Sequence, residues 1–445
     1  MAEIFHSVRL NKDKCKGCST CVKRCPTQAI RVRDGKAKIL EDLCIDCGEC
    51  IRVCPHRAKK AVCTPLAELK NSKYQYKIAL PPPSLYCQFN HLEDVDFVLS
   101  GLLSIGFDSV FEVSAAAEII SDFTREYMAQ PDINKPVISG ACPAIVRLIE
   151  TRFHHLCDNI LPFVAPVELA AMMARRQAAE KTGLSQDEIG VFFISPCPAK
   201  VTEAILHPNT TQQLINGAFS MSEIYIKLVG AMNRIENPEP LLKSGILGVS
   251  WAISGGEAGG LLTDKYLAAD GIENAIKILE QVEDDKLAGV DFIELNACTS
   301  GCIGGCLTVE NPFIAKSRLK SLRRYMPVSQ NKSGNLPAPL SPACAGKHKA
   351  KPSVKLSDNL DEAMKMMLEI ERLTEMLPDL DCGACGAPTC AALAEDVVRG
   401  KSSLSLCVYL MREKLRLIRK NLTPEQLAIY YDNEKSYEEL SRDDG

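Results

Sequence analysis

The chain reads as an α/β protein with a smaller cysteine-bearing part at each end, and three features of the sequence say so. From about Tyr74 onward, apolar strand-like runs alternate with helical patterns. Residues 1–65 contain a cysteine run that repeats itself, and a second, compact cysteine motif follows Pro378. These features divide the 445 residues into 1–70, 75–328, a linker over 329–352, and 353–445, within the roughly two to four domains that such a length allows. The expected fold is a two-lobed α/β region, preceded by an α+β domain and followed by a small, mainly helical one.

Composition narrows the function. Hydrophobic residues make up 46% and charged residues 24%, an ordinary globular balance. No apolar run approaches the roughly 18 residues of a membrane span, and no signal-peptide core precedes Lys12. A cytoplasmic location without a membrane span is therefore expected. In that compartment thiols stay reduced, so the 21 cysteines argue for metal sites and against disulfides. The net charge of −4 hides a gradient: residues 1–70 carry 15 Lys and Arg against 8 Asp and Glu, and the tail from Pro424 carries 7 acids against 2 bases. Nothing resembles a nucleic-acid patch; the basic front end suits an acidic redox partner.

In the front end, Cys15, Cys18, Cys21 and Cys25-Pro recur 29 residues later as Cys44, Cys47, Cys50 and Cys54-Pro. Thiolates at every third residue wrap one cubane while the Cys-Pro crosses to a second. The pattern resembles the bacterial two-cluster ferredoxins, in which three cysteines of one run and the fourth of the other hold each [4Fe–4S]. Zinc shares the ligand type, but the doubled arrangement favours iron–sulfur.

The central region follows in order. Lys77 to Leu80 reads as a strand and Val95 to Ile105 as an amphipathic helix. Phe107 to Val113 is a second strand, Ser114 to Met128 a helix, and Val137 to Ser139 a third strand ending near Cys142. Val167 to Lys181 and Ile272 to Leu287 are helices, and Ile246 to Trp251 is a further strand. Cysteines then fall at strand ends, where loops converge.

Residues 329–352 hold four prolines and little to bury. A helix is expected to start near Asp358 as N-cap and to stop at Pro378. Its apolar stripe from Met364 to Leu377 reads more as core than as interface. Cys382, Cys385 and Cys390 in a Cys-Gly-Ala-Cys-Gly-Ala-Pro-Thr-Cys core, with Cys407 beyond, resemble a small [4Fe–4S] domain; zinc or structural cysteines are the competing readings. Val408 to Lys420 is an amphipathic helix, and the acidic tail is expected to fray.

Three segments of the central region place cysteines after apolar runs: Ala141-Cys142-Pro143; Ser195-Pro196-Cys197-Pro198-Ala199-Lys200; and Glu294-Leu-Asn-Ala-Cys298-Thr-Ser-Gly-Cys302-Ile-Gly-Gly-Cys306. Taken alone, the last could be a glycine-rich turn with incidental cysteines. Together they resemble the three signature loops of the [FeFe]-hydrogenases, roughly Thr-Ser-Cys-Cys-Pro, Met-Pro-Cys-x-x-Lys-x-x-Glu and Glu-x-Met-x-Cys-x-x-x-Cys. The resemblance implies that Cys142, Cys197, Cys298 and Cys302 hold the cubane of an H-cluster. Cys302 would bridge to a diiron unit carrying CO, cyanide and a dithiolate. Lys200 and Glu203 match the second-loop pair, the lysine hydrogen-bonding a cyanide. H2 and protons are then the implied substrates, and hydrogenase maturation proteins the implied partners. Ligands account for 16 of the 21 cysteines; Cys63, Cys87, Cys157, Cys306 and Cys344 are expected as small buried apolar residues.

The chain departs from the family pattern along one pathway. Ala141 stands where a proton-carrying cysteine is usual, no serine lies between Asn159 and Glu168, and in the segment Ser121 to Tyr127 of the preceding helix only Asp122 and Glu126 offer carboxylates. Ser195 and Asn296 replace the two loop methionines, which makes the pocket more polar. Glu257, in the glycine-hinged Ser254-Gly-Gly-Glu-Ala-Gly-Gly, could approach the cofactor, although the plainer reading is an exposed loop glutamate. A lost relay implies slow turnover, as a sensor of H2 or redox state would show, and resembles the sensory branch. An ordinary hydrogenase with another proton path, or a non-catalytic iron–sulfur electron-transfer protein, are the alternatives. The partner would be a ferredoxin-like or signalling redox protein.

Overall fold

The computed structural model describes residues 6–351 and 356–420; the tail from Pro424 lies outside them. The chain divides into two compact units. One takes Met1–Lys16, Arg24–Ala29 and Ile39–Ser353, the other Gly17–Lys23, Ile30–Lys38 and Val354–Gly445.

Two parallel sheets form the body of the first unit. The larger runs in the order Ser109–Val110, Tyr76–Leu80, Ile189–Ser195, Gly217–Ser220, every pair parallel. Its central 189–195 strand is buried at all seven positions, as a strand covered on both faces must be. Alternation sends Val191 and Phe193 to the helices Val113–Met128 and Pro166–Thr182. Phe192 and Ile194 face the helices Asp96–Ser104 and Met221–Met232. The smaller sheet runs Tyr266–Asp270, Phe292–Asn296, Val137–Ile138, also parallel, and shares its core with the helices Pro143–Arg152 and Ile272–Glu283. The α/β reading of this region is met.

Several expectations need correction. Ile246 to Trp251 is not a strand: Ile246–Ser250 is helical. A side chain at Gly248 would put its Cβ 2.1 Å from Ser114 O, so the segment is pressed against the 113–128 helix. A short apolar run carries no period that could have told the two apart. The strand expected over Phe107 to Val113 shrinks to Ser109–Val110, because Phe107 turns into the core and the next helix already begins at Val113. The 329–352 stretch is not short of buried contacts. Leu336, Leu340 and Cys344 pack on the core, Cys344 N donates to Pro162 O at 3.0 Å, and Val164 N donates to Pro342 O at 2.8 Å.

At the front of the chain the repeat is visible in the backbone. Left-handed residues recur at Gly17 and Asp46, and again at Gln28 and Arg57, each pair 29 apart. Ala29 N donates to Cys25 Sγ, and Ala58 N to Cys54 Sγ, both at 3.2 Å. Val8–Leu10 pairs antiparallel with Lys59–Ala61.

In the second unit, Ile30–Arg33 sits beside the C-terminal segment. Val32 N donates to Gly386 O at 2.8 Å, and Arg31 Nε and Arg33 Nη2 both reach Asp396 Oδ2, at 2.7 and 2.5 Å. The helix Leu360–Glu375 is capped by Asn359, not Asp358, its side chain accepting from Asp361 N and Glu362 N. Leu373 and Leu377 pack in the core of this unit, whereas Met364, Met367 and Leu368 are exposed; the stripe is core only at its end. Val408–Lys420 is helical as expected.

Candidate metal centre and active site

The ligand cysteines of the larger unit follow strands. Cys142 is the N-cap of the Pro143–Arg152 helix, just beyond Val137–Ile138, and Cys197 is the N-cap of Pro198–Leu206, just beyond Ile189–Ser195. Proline at the first helical position suits both, since its fixed φ starts the helix and its missing N–H is not needed there. Cys298 follows Phe292–Asn296, and Cys302 opens a single 3-10 turn. Glycine is required around it. Gly301 has φ +86° with room for no Cβ against Ser254 N (2.6 Å), and a Cβ on Gly305 would lie 2.2 Å from Pro196 O.

The four thiols lie near enough for their fields to act on one another. Burial pushes Cys197, Cys298 and Cys302 up. The field of Cys142 acts on all three, those of Cys197 and Cys302 on their neighbours, and Lys200 pulls Cys197 and Cys302 back down. Protonated buried thiols that raise one another are a set that a soft metal centre would relieve, because it binds the thiolates. A cubane fits this donor set.

Lys200 is half-buried, yet its pKa is raised: desolvation alone would lower it, and Cys302, Glu203, Cys197 and Cys142 outweigh that. Its Nζ donates to Ala141 O at 2.8 Å. It lines a cavity with Ala141, Glu257, Glu294, Asn296 and Cys302, so an anionic ligand there would meet an ammonium. That fits a cyanide-bearing diiron unit.

Glu257 is not an exposed loop residue. It is only 3% exposed, in the short helix Gly256–Gly259. Ser139 Oγ donates to its Oε2 at 2.5 Å and accepts from Ala141 N at 3.1 Å, while Oε1 has no hydrogen-bond partner. Burial, and then the field of Glu294, push the carboxyl up to about 8. A wall of this cavity therefore carries a carboxylic acid beside the alanine. Sequence reasoning overlooked Ser139, although a serine two residues before Ala141 was in view.

Other candidates fall elsewhere. Asp122 pairs with Arg125 at 2.6 Å and accepts from Ser333 N, and Glu126 accepts from Ser333 Oγ, so both face the 329–335 stretch. Ser195 does not make the pocket polar: its hydroxyl donates to Cys197 O at 2.8 Å and shapes the turn. Asn296 does line the cavity, its amide donating to Glu294 Oε1 at 2.9 Å. Glu203 is buried behind Lys200.

A second thiol set lies in the same unit. Burial raises Cys47, and Cys25, Cys50 and Cys44 add to it; burial and Asp46 push Cys44 to about 12. Asp46, between these cysteines, pairs with His6 at 2.8 Å and Arg147 at 3.0 Å and accepts from Thr202 Oγ1 at 3.0 Å. One carboxylate thus ties the front-end loop to the helices that follow Cys142 and Cys197. Nearby, Arg52 Nη2 donates to Gly304 O at 2.9 Å, and a Cβ on Gly48 would lie 2.4 Å from Cys306 Sγ. In the other unit, burial raises Cys385, with Cys382 and Cys407 adding to it, and Cys390 shares their core.

Of the five cysteines left without a ligand role, Cys87 and Cys157 are fully buried, while Cys63, Cys306 and Cys344 are only partly so.

Comparison with known proteins agrees with this chemistry. A family model for the iron-only hydrogenase large subunit, C-terminal domain, matches residues 78–239 and 244–306. A 4Fe-4S dicluster model matches 7–55 and an Fe-S cluster model 377–409. The chain is 26% identical over 219 residues to the periplasmic [Fe] hydrogenase large subunit of Nitratidesulfovibrio vulgaris, covering 45% of this chain and 52% of that protein. It is 21% identical over 266 residues to a probable cytosolic Fe-S cluster assembly factor of Drosophila mojavensis, covering 46% and 55%. The chain thus spans about half the length of these relatives. An [FeFe]-hydrogenase of Chlamydomonas reinhardtii superposes with a TM-score of 0.47 at 16% identity, covering 61% of this chain and 91% of that one. No helix among the described residues is long and apolar enough to cross a membrane. The family model covers just over half of the chain, all four converging cysteines included, and this chain belongs to the iron-only, or [FeFe]-, hydrogenase family.

Proposed function

We propose that the chain interconverts H2 with protons and electrons slowly, as a sensor of H2 or redox state, at an H-cluster held by Cys142, Cys197, Cys298 and Cys302. The observation that carries the proposal is the cavity where Cys302, Lys200 and Glu257 meet. When bound, the diiron unit supplies the site of heterolytic H2 chemistry. The residues do the rest. Lys200, steered by Ala141 O, offers its remaining N–H groups to a cyanide. Ala141 carries no exchangeable proton, so the usual first relay is lost. Glu257 holds a proton below about pH 8, and Ser139 orients it. Glu294, with its own carboxyl raised by burial, stands next along the same wall.

The two parallel sheets would be the two lobes around this cofactor. Electrons would pass through cubanes at the eight front-end cysteines, Cys15, Cys18, Cys21, Cys25, Cys44, Cys47, Cys50 and Cys54. A further cubane at Cys382, Cys385, Cys390 and Cys407 would complete the chain. The basic front end would meet an acidic redox or signalling protein in the cytoplasm, and maturation proteins would deliver the diiron unit.

The likeness to an assembly factor favours a second reading, a cluster protein that never receives a diiron unit. Against it stands Lys200, a cation on the wall of a cavity that an anionic ligand would fill. Infrared spectra in the CO and cyanide region, recorded after cubane reconstitution and diiron loading, decide between the two. Bands that shift reversibly under H2 are expected; their absence at full cubane occupancy leaves the cluster protein.

A further inference from the structure

Near Lys200, two carboxyl groups share one amide. Glu168, from the 166–182 helix, and Glu203, one helical turn beyond Lys200, are 4% and 5% exposed. Asn209 Nδ2 lies 3.4 Å from Glu168 Oε2 and 3.3 Å from Glu203 Oε1. Glu168 Oε2 also accepts from Ala165 N at 2.9 Å, and Glu203 Oε2 has no hydrogen-bond partner. The charged and titratable groups facing the pair are Lys200, Arg147, His348 and Cys344. Of these, His348 is committed to Glu150 at 3.2 Å and Arg147 to Asp46.

Two buried carboxylates with so few donors cannot both ionise cheaply, since each adds a charge to a low-dielectric site that the other already occupies. One proton shared between them leaves a single negative charge opposite the single positive charge of Lys200. Asn209 also lines an open cavity of about 500 Å3, together with Thr210, Gln212 and Arg176, so the amide that bridges the carboxyls stands on a wall that solvent reaches.

We propose that Glu168 and Glu203 form a dyad holding one proton, exchanged with solvent through the Asn209 cavity, and that this dyad is a counter-charge that keeps Lys200 charged. Burial, with Glu168 next, raises Glu203 to about 8, in keeping with a proton held at neutral pH. The dyad needs no diiron unit, so its test is separate from that of the H2 chemistry.

The test is the infrared spectrum of the Glu257→Gln variant of the full chain, which removes the other carboxyl raised to about 8, loaded with cubanes only, as a difference between H2O and D2O, across pH. A carboxylic-acid C=O band is expected near pH 7, fading as pH rises past about 8. In that background Glu203→Gln should remove it, and Glu168→Gln should move its loss to lower pH. Asn209→Leu should slow its exchange with D2O. Iron content and visible absorption establish that each variant carries its cubanes, and Glu168→Asp, which keeps the charge, should keep the band if Glu168→Gln fails to fold. Absence of any such band near pH 7, or a band that survives both Glu203→Gln and Glu168→Gln, overturns the dyad. Unchanged exchange in Asn209→Leu overturns the solvent route.

Discussion

Glu294 holds the loop that presents Glu257. Its carboxylate accepts from Gly255 N at 3.0 Å and from Ala258 N at 2.9 Å, on either side of Glu257. A glycine-rich hinge, pinned at two amides by one buried acid, is thus a fixed support for a second acid.

Glu257→Gln should therefore lower H2 oxidation with an artificial acceptor by on the order of 10²-fold, the low end of what a positioned proton carrier contributes. The CO and cyanide bands should stay. Ser139→Ala, which removes the orienting hydroxyl but no proton-holding carboxyl, should cost less. Equal rates in Glu257→Gln and the parent would remove Glu257 from any relay.

Ala141→Cys should raise turnover, by about 10-fold or more if proton supply limits the parent. The contact that orients Lys200 is to the backbone carbonyl of residue 141, so the substitution leaves it intact. A cysteine variant no faster than the parent, with its diiron bands present, would place the limit elsewhere.

Lys200→Met should keep all cubanes and lose the diiron unit. The thiols are supplied by other residues, whereas the cavity would lose the only lysine among its described lining residues. Iron content and the CO and cyanide bands read the two outcomes separately; bands of full intensity would show that the lysine is not needed for loading.

Stability should fall as pH rises from about 4.5 toward 8. The Glu257 carboxyl goes from 4.5 unfolded to about 8 folded, so the folded chain binds the extra proton across that window. Ionising it opposes folding increasingly up to the folded value. Glu257→Gln, neutral throughout, should flatten that slope in denaturant titrations of the cubane-loaded protein. A parent whose midpoint holds steady from pH 5 to 8 would contradict the raised value.

Asp396→Ala should destabilise the second unit by about 3–5 kcal/mol, because it strips the paired acid from a buried guanidinium, Arg31, and from Arg33. Thermal unfolding followed by loss of cluster absorption would measure it.

Much of the site was readable because ligand chemistry is local. Cys-Pro after a strand, and Cys-x3-Cys among glycines, put the cysteines at the ends of strands and the starts of helices or turns, where the structure has them. What was not readable is non-local. Glu257 could be told from a surface residue only by knowing that Glu294, 37 residues on, closes its loop. Ile246 to Trp251 has strand residues, but its conformation is set by how closely Gly248 must approach Ser114. Glu168 carries no motif; its meaning comes from Asn209 and Glu203, which chain folding brings to it.

The contact between Gly48 and Cys306 limits how interchangeable this protein's parts are. In the proposed function, an electron tunnelling between clusters at the front-end cysteines and at 298 and 302 would cross a gap in which its rate decays steeply with separation. At Gly48 that gap is closed to the point where even one methyl group would collide with sulfur. Grafting another ferredoxin-type loop here, with any side chain at that place, would spread the two loops and slow conduction even with every ligand kept. The front end is thus matched to its neighbour like two halves of a connector, and must be exchanged with it or not at all.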